Sequence, residues 1–138
     1  MAIWQLSFDV VDKNKDSNDE NIRSWDTEPG NVYDITFLDK TKSWGKECEL
    51  YGNPEKTCIK LTKENDRVVG IGVKLDIREL SEELIENVIK YIAGIDGKIF
   101  YKNEILSPSI SELKAKIVKS DAFRFCVNPR EFFESLQK

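Results

Sequence analysis

Histidine is absent from all 138 residues of this chain. That removes Ser-His-Asp and Cys-His nucleophile activation, imidazole acid–base catalysis and every histidine-containing metal site. Catalysis, if there were any, would rest on Asp, Glu, Lys, Tyr or Cys. Cysteine is scarce, and Cys48, Cys58 and Cys126 stand singly. An odd count with no C-x-x-C spacing argues against a disulfide framework, a zinc site or a redox pair; free thiols packed as small hydrophobes are expected. No apolar run approaches the ~20 residues that cross a bilayer, and Met1 to Val11 lacks the basic start of a signal peptide. A cytoplasmic chain with no membrane partner is the expectation. Long basic runs are also missing, and the net charge is −4. This disfavours nucleic acid as a partner, because phosphate neutralisation supplies most of that affinity.

What is present suits one globular domain spanning 1–138: 40% hydrophobic and 33% charged residues, with no repeat and no low-complexity tract. Trp4, Leu6, Phe8 and Val10 alternate with polar residues, the period of a half-buried strand. From about 12 to 31 the chain turns polar and reads as a long loop ending at Pro29-Gly30. It holds six carboxylates against three cations, so it carries three of the four net negative charges. The segment Val32 to Leu38 is ambiguous between a short strand and an irregular packed piece.

Strands follow. Trp44, Lys46, Cys48 and Leu50 share one face; Ile59 and Leu61 mark the next strand, and Glu64-Asn65-Asp66 suits a hairpin turn. Val69, Ile71, Val73, Leu75 and Ile77 then form the longest apolar alternation, opposite Val68, Gly70, Gly72, Lys74 and Asp76. Such short connections imply antiparallel pairing. Helical spacing begins after Leu80: Ser81 is a good N-cap, Glu82 and Glu83 suit the helix dipole, and Leu84, Ile85, Val88, Ile89 and Ile92 make one apolar stripe. A short strand (98–101) leads to a second helix with Ser109 and Glu112 as capping box and Ile110, Leu113 and Ile117 as buried face. Ala122 to Val127 reads as a last strand, and Asn128-Pro129 opens a terminal helix that Phe132, Phe133 and Leu136 would dock. The fold class expected is α+β, an antiparallel sheet of about five or six strands with two or three helices packed on one face.

Several constellations invite a functional reading. Asp12-x-Asn14-x-Asp16 opens like a calcium loop, but Ser17 stands where the sharp turn needs Gly, and Arg23 where a bidentate Glu should close the cage. No metal is expected, and no cofactor. Gly70 and Gly72 lie inside a strand and not at a strand-to-helix turn, so they read as room for a close neighbour, such as an aromatic ring over bare backbone, and not as a phosphate loop. Asp76, Arg78 and Glu79 at a strand end could form a carboxylate site, or an ion-pair cluster that starts the helix. Trp25, amid loop charges, has the composition of a binding hot spot, or else anchors the loop to the sheet.

Two stretches, RVVGIGVKLDIRELSEELIENVIKYI and SDAFRFCVNPREFFESL, together resemble small uncharacterised bacterial proteins of the toxin-immunity type. The resemblance covers roughly the C-terminal half and carries no catalytic motif. It implies a non-enzymatic protein-binding module that neutralises a cognate protein toxin. The residues expected to meet such a partner are Asp19, Glu20, Trp25 and Asp26, since an acidic surface steers towards a basic enzyme. The alternatives are a small hydrolase or transferase built on carboxylates, and a small-ligand-binding domain.

Overall fold

A computed structural model describes residues 2–41 and 47–127. Trp44 and Lys46, and the terminal helix expected from Pro129 with Phe132, Phe133 and Leu136, lie outside the described residues. The chain is α+β, and its described residues form one antiparallel sheet of seven strands in the order β2-β3-β4-β5-β1-β6-β7. The strands are β1 (Gln5–Asp12), β2 (Lys40–Thr41), β3 (Cys48–Gly52), β4 (Cys58–Glu64), β5 (Arg67–Asp76), β6 (Gly97–Tyr101) and β7 (Glu104–Leu106). The helices are α1 (Glu82–Gly94), α2 (Ile110–Val118) and α3 (Asp121–Val127).

The first strand of the sequence lies in the middle of the sheet, between β5 and β6. Its Leu6, Phe8 and Val10 join Ile59, Leu61, Ile71, Val73 and Leu75 in one core cluster with Ile85, Val88, Ile89 and Ile92 of α1 and Leu113 and Ile117 of α2. Full burial of each such side chain contributes roughly 1.5–3 kcal/mol. The stripe of α1 is therefore core, and its start is held by Ser81, whose Oγ accepts the Leu84 amide at 3.1 Å. Gly97 lets α1 return closely to the sheet: a Cβ there would stand 2.7 Å from Val10 Cγ1.

Four elements depart from the sequence expectation, each for a physical reason. The ladder between β4 and β5 shifts after the Thr62–Gly70 pair, so that Lys63 pairs with Val68 and Val69 is stepped over. This bulge returns Val68 to the core, fully buried, and leaves Val69 half-buried. Strand β7 is added by a tight hairpin whose two residues, Lys102 and Asn103, both have positive φ (47° and 65°). Lysine is an uncommon residue for that turn and gives no sequence signal. Strand β2 is only two residues long. Ala122 to Val127 is helix and not strand: Ser120 Oγ accepts the Phe123 amide at 3.2 Å as an N-cap, and Ala122 is the one buried residue of α3. An apolar segment that short fits either period, and the cap decides it.

Candidate functional site

Three places hold charged side chains in an organised way. The first is the polar segment after β1. It crosses the end of the sheet from one face to the other: Ile22 packs with Val11, Phe100 and Ile105, whereas Val32 and Ile35 belong to the main core, where the Tyr91 hydroxyl of α1 donates to Val32 O at 2.6 Å. Burial pushes the Tyr91 phenol well above its ordinary range. Between these anchors Trp25 is only 4% exposed. Its indole N–H donates to Val10 O at 2.9 Å and its amide to Val69 O at 2.8 Å.

Trp25 thus pins the loop to the gap between β1 and β5 and is no contact residue. Its polar neighbours gave it the look of a surface aromatic, but Ile22 and Trp25 together bury enough to fix the segment as an arch. Arg67 adds a hydrogen bond to Asp26 O (2.9 Å), and Glu28 Oε1 accepts the Val68 amide (3.0 Å). Asp19 and Glu20 are exposed at the crest, and exposed Asp26 pairs with Lys15 at 3.2 Å.

Three of the arch's six carboxylates shape its own turns. Asp12 Oδ1 accepts the Asn14 amide (3.0 Å), Asp16 Oδ1 the Asn18 amide (2.9 Å), and Asp19 Oδ2 the Asp16 amide (2.8 Å). Among the described residues no three Cys, Asp or Glu side chains converge as a metal cage.

The second place is the end of β5. Asp76 is completely buried. Its Oδ1 accepts from Arg78 N (2.9 Å) and Nε (3.0 Å), and its Oδ2 from Arg78 Nη2 (2.8 Å). Burial works against the charge on Asp76, but the Arg78 hydrogen bonds outweigh it and hold the carboxyl below the usual carboxylate range. The guanidinium in turn lies 4.0 Å from the Trp4 ring centre. Trp4 stands just before β1, half-buried, as the platform for Arg78. Glu79 lies outside this pair and meets Lys56 at 3.2 Å. The three residues at the strand's end therefore split between an ion pair whose carboxylate is buried and whose guanidinium reaches solvent and a surface one.

The third place carried no sequence expectation. Opposite the helices, the sheet's other face opens a cleft of about 890 Å³. The register aligns one row of side chains across it: Leu50, Lys60, Gly72, Asp9 and Phe100, from β3 to β6. Lys74 lies two residues beyond Gly72 and pairs with Cys58. One end is walled by the turn after β3, which the Gln5 amide grips through Pro54 O (3.0 Å) and Lys56 O (2.6 Å). The other is walled by Arg23, which pairs with Asp9 at 2.8 Å and lies 5.0 Å from the Phe100 ring centre.

Gly72 forms the floor. A Cβ there would meet nothing within 4 Å, and one at Gly70 would meet only Thr62, at 3.5 Å. The expected aromatic neighbour over Gly72 is not supplied by the described residues. Among the described residues four cations line the cleft, Arg23, Lys60, Lys74 and Lys102, against the single carboxylate of Asp9. Burial raises the Cys58 thiol pKa against the opposing pull of Lys74 and Lys60. In the sequence Lys74 stands opposite the apolar alternation of β5, on the side of Gly70 and Gly72, and that pair of glycines inside the longest strand is the one available signal.

Comparison with protein-family models, with curated proteins and with solved structures gives no match to this chain. Among the described residues no helix is long and apolar enough to cross a membrane.

Proposed function

We propose that this chain is a non-enzymatic protein-binding module of the cytoplasm, whose acidic arch docks a basic partner protein. An immunity protein that neutralises a cognate bacterial toxin is its most concrete form. The observation that carries the reading is the mounting of the arch. Ile22 and Trp25 fix it to the sheet while Asp19 and Glu20 stay in solvent, so little ordering entropy is lost when a partner arrives. Asp26 belongs to the same surface, tempered by Lys15. With Trp25 withdrawn into the core, the contribution of the arch is mainly electrostatic, which favours fast association over slow release. The carboxylate-enzyme alternative has less support, because Asp76 is enclosed and held ionised by Arg78 and so is a poor proton carrier near neutral pH.

The test is co-purification of the chain with the product of the gene adjacent to its own. Stable capture of that product, weakened by the paired substitutions Asp19→Lys and Glu20→Lys, is the expected outcome. No capture, or capture indifferent to both charges, would remove the arch as the docking surface.

A further inference from the structure

We propose that the cleft on the face of the sheet opposite α1 and α2 binds a small amphipathic organic anion. Its carboxylate or phosphate would lie between Lys60 and Lys74, and its apolar body across the bare backbone of Gly72 towards Phe100. Four features of the cleft support this assignment.

The first is the unexplained glycine. A glycine inside a strand costs roughly 0.5–1 kcal/mol relative to alanine and is ordinarily tolerated where another group approaches the backbone closely. At Gly72 none of the described residues makes that approach, and among them the space above it is open towards the cleft. The second is charge. The chain is acidic overall, yet among the described residues this cleft gathers four cations around one carboxylate. Asp9 is already taken by Arg23, and neither Lys60 nor Lys74 has an ion-pair partner among the described residues. Lys60 stands opposite Gly72 and Lys74 one diagonal step away, a separation of roughly 7–8 Å that one anionic group can bridge between long side chains.

The third is the apolar part. Phe100, 6% exposed, closes the far end of the row beyond the Asp9–Arg23 ion pair, two strands from Gly72 and about 10 Å away at ordinary strand spacing; that span matches a two-ring aromatic or a medium acyl chain. The fourth is size: about 890 Å³ falls within the roughly 300–1,000 Å³ of small-molecule sites.

The experiment is a fluorescence titration of the whole chain with anilinonaphthalene sulfonate, an aromatic anion, well below the melting temperature. Competition with decanoate, decyl phosphate and decyltrimethylammonium follows. Decanoate or decyl phosphate should displace the dye, the better one naming the head group, and the cation should not. Gly72→Val should weaken dye binding by about tenfold or more without lowering the melting temperature, because its new methyl groups enter the cleft and no part of the described chain. Lys60→Glu with Lys74→Glu should weaken it comparably, again without unfolding. Displacement by the cation as readily as by the anions would overturn the proposal. So would undiminished dye binding in Gly72→Val and in the double variant. None of these outcomes bears on the arch.

Discussion

Replacing Trp25 by alanine separates the two roles its sequence position allows. The side chain is 4% exposed, and its indole N–H fills a carbonyl inside the sheet, Val10 O, at 2.9 Å. Truncation removes one of the largest buried side chains and leaves that carbonyl without its donor. Losses of about 3–5 kcal/mol are typical for such a change, and the orphaned acceptor favours the upper half of that range. Trp25→Phe keeps much of the volume and removes the donor, so about 1–3 kcal/mol is expected. Urea unfolding followed by far-ultraviolet circular dichroism measures both. The midpoint should fall with an unchanged slope, and the melting temperature of Trp25→Ala should drop by roughly 10–20 °C at this chain length. A loss below about 1 kcal/mol would refute the anchor argument and return Trp25 to the surface.

Ile89→Asp should cost about 3–5 kcal/mol, because Ile89 lies in the buried stripe of α1 and an unpaired charge there has no partner; a near-normal melting temperature would show that the stripe is not core. Asp76→Asn should lose about 1.5–3 kcal/mol at neutral pH, the worth of hydrogen bonds to a charged group. Since Arg78 lowers the folded-state pKa of Asp76, that stability is present above the ordinary Asp value near 4 and disappears as pH falls through the depressed folded value. Wild type and Asp76→Asn should therefore converge in acid, and a constant gap from pH 7 to pH 2 would show that the ion pair is not its source. Gly72→Val should leave stability unchanged or raise it by up to ~1 kcal/mol, through higher strand propensity in open space; a clear loss in chemical denaturation would mean that the floor of the cleft is already filled.

Where one period ran long enough, the fold was legible in the sequence. The alternation of Leu6, Phe8 and Val10, the stripe from Ile85 to Ile92 and the cap at Ser81 all follow from side-chain spacing that only one backbone geometry can bury. The short strand at 98–101 was legible as β6, but the shortest elements were not. The two residues of β2 carry no period, and the Lys102–Asn103 turn that creates β7 lacks the usual glycine. Neither was the bulge at Val69, because the run from Val68 to Leu75 is apolar enough to hide a one-residue slip. Trp25 misled as a hot spot because local polarity says nothing about where a chain crosses a sheet. The cleft stayed hidden for the opposite reason: Lys60 and Lys74 are unremarkable on a polar strand face until the register sets them beside Gly72.

The association rate constant of the chain with the product of the adjacent gene, measured across salt concentrations for wild type and for the Asp19→Lys, Glu20→Lys variant, tests the docking role of the arch most directly. Exposed charges act through a field screened over about 8–10 Å near physiological salt, so the variant should associate several-fold more slowly at low ionic strength and approach wild type at high salt, with nearly equal dissociation. Equal association rates at every salt concentration would contradict the account.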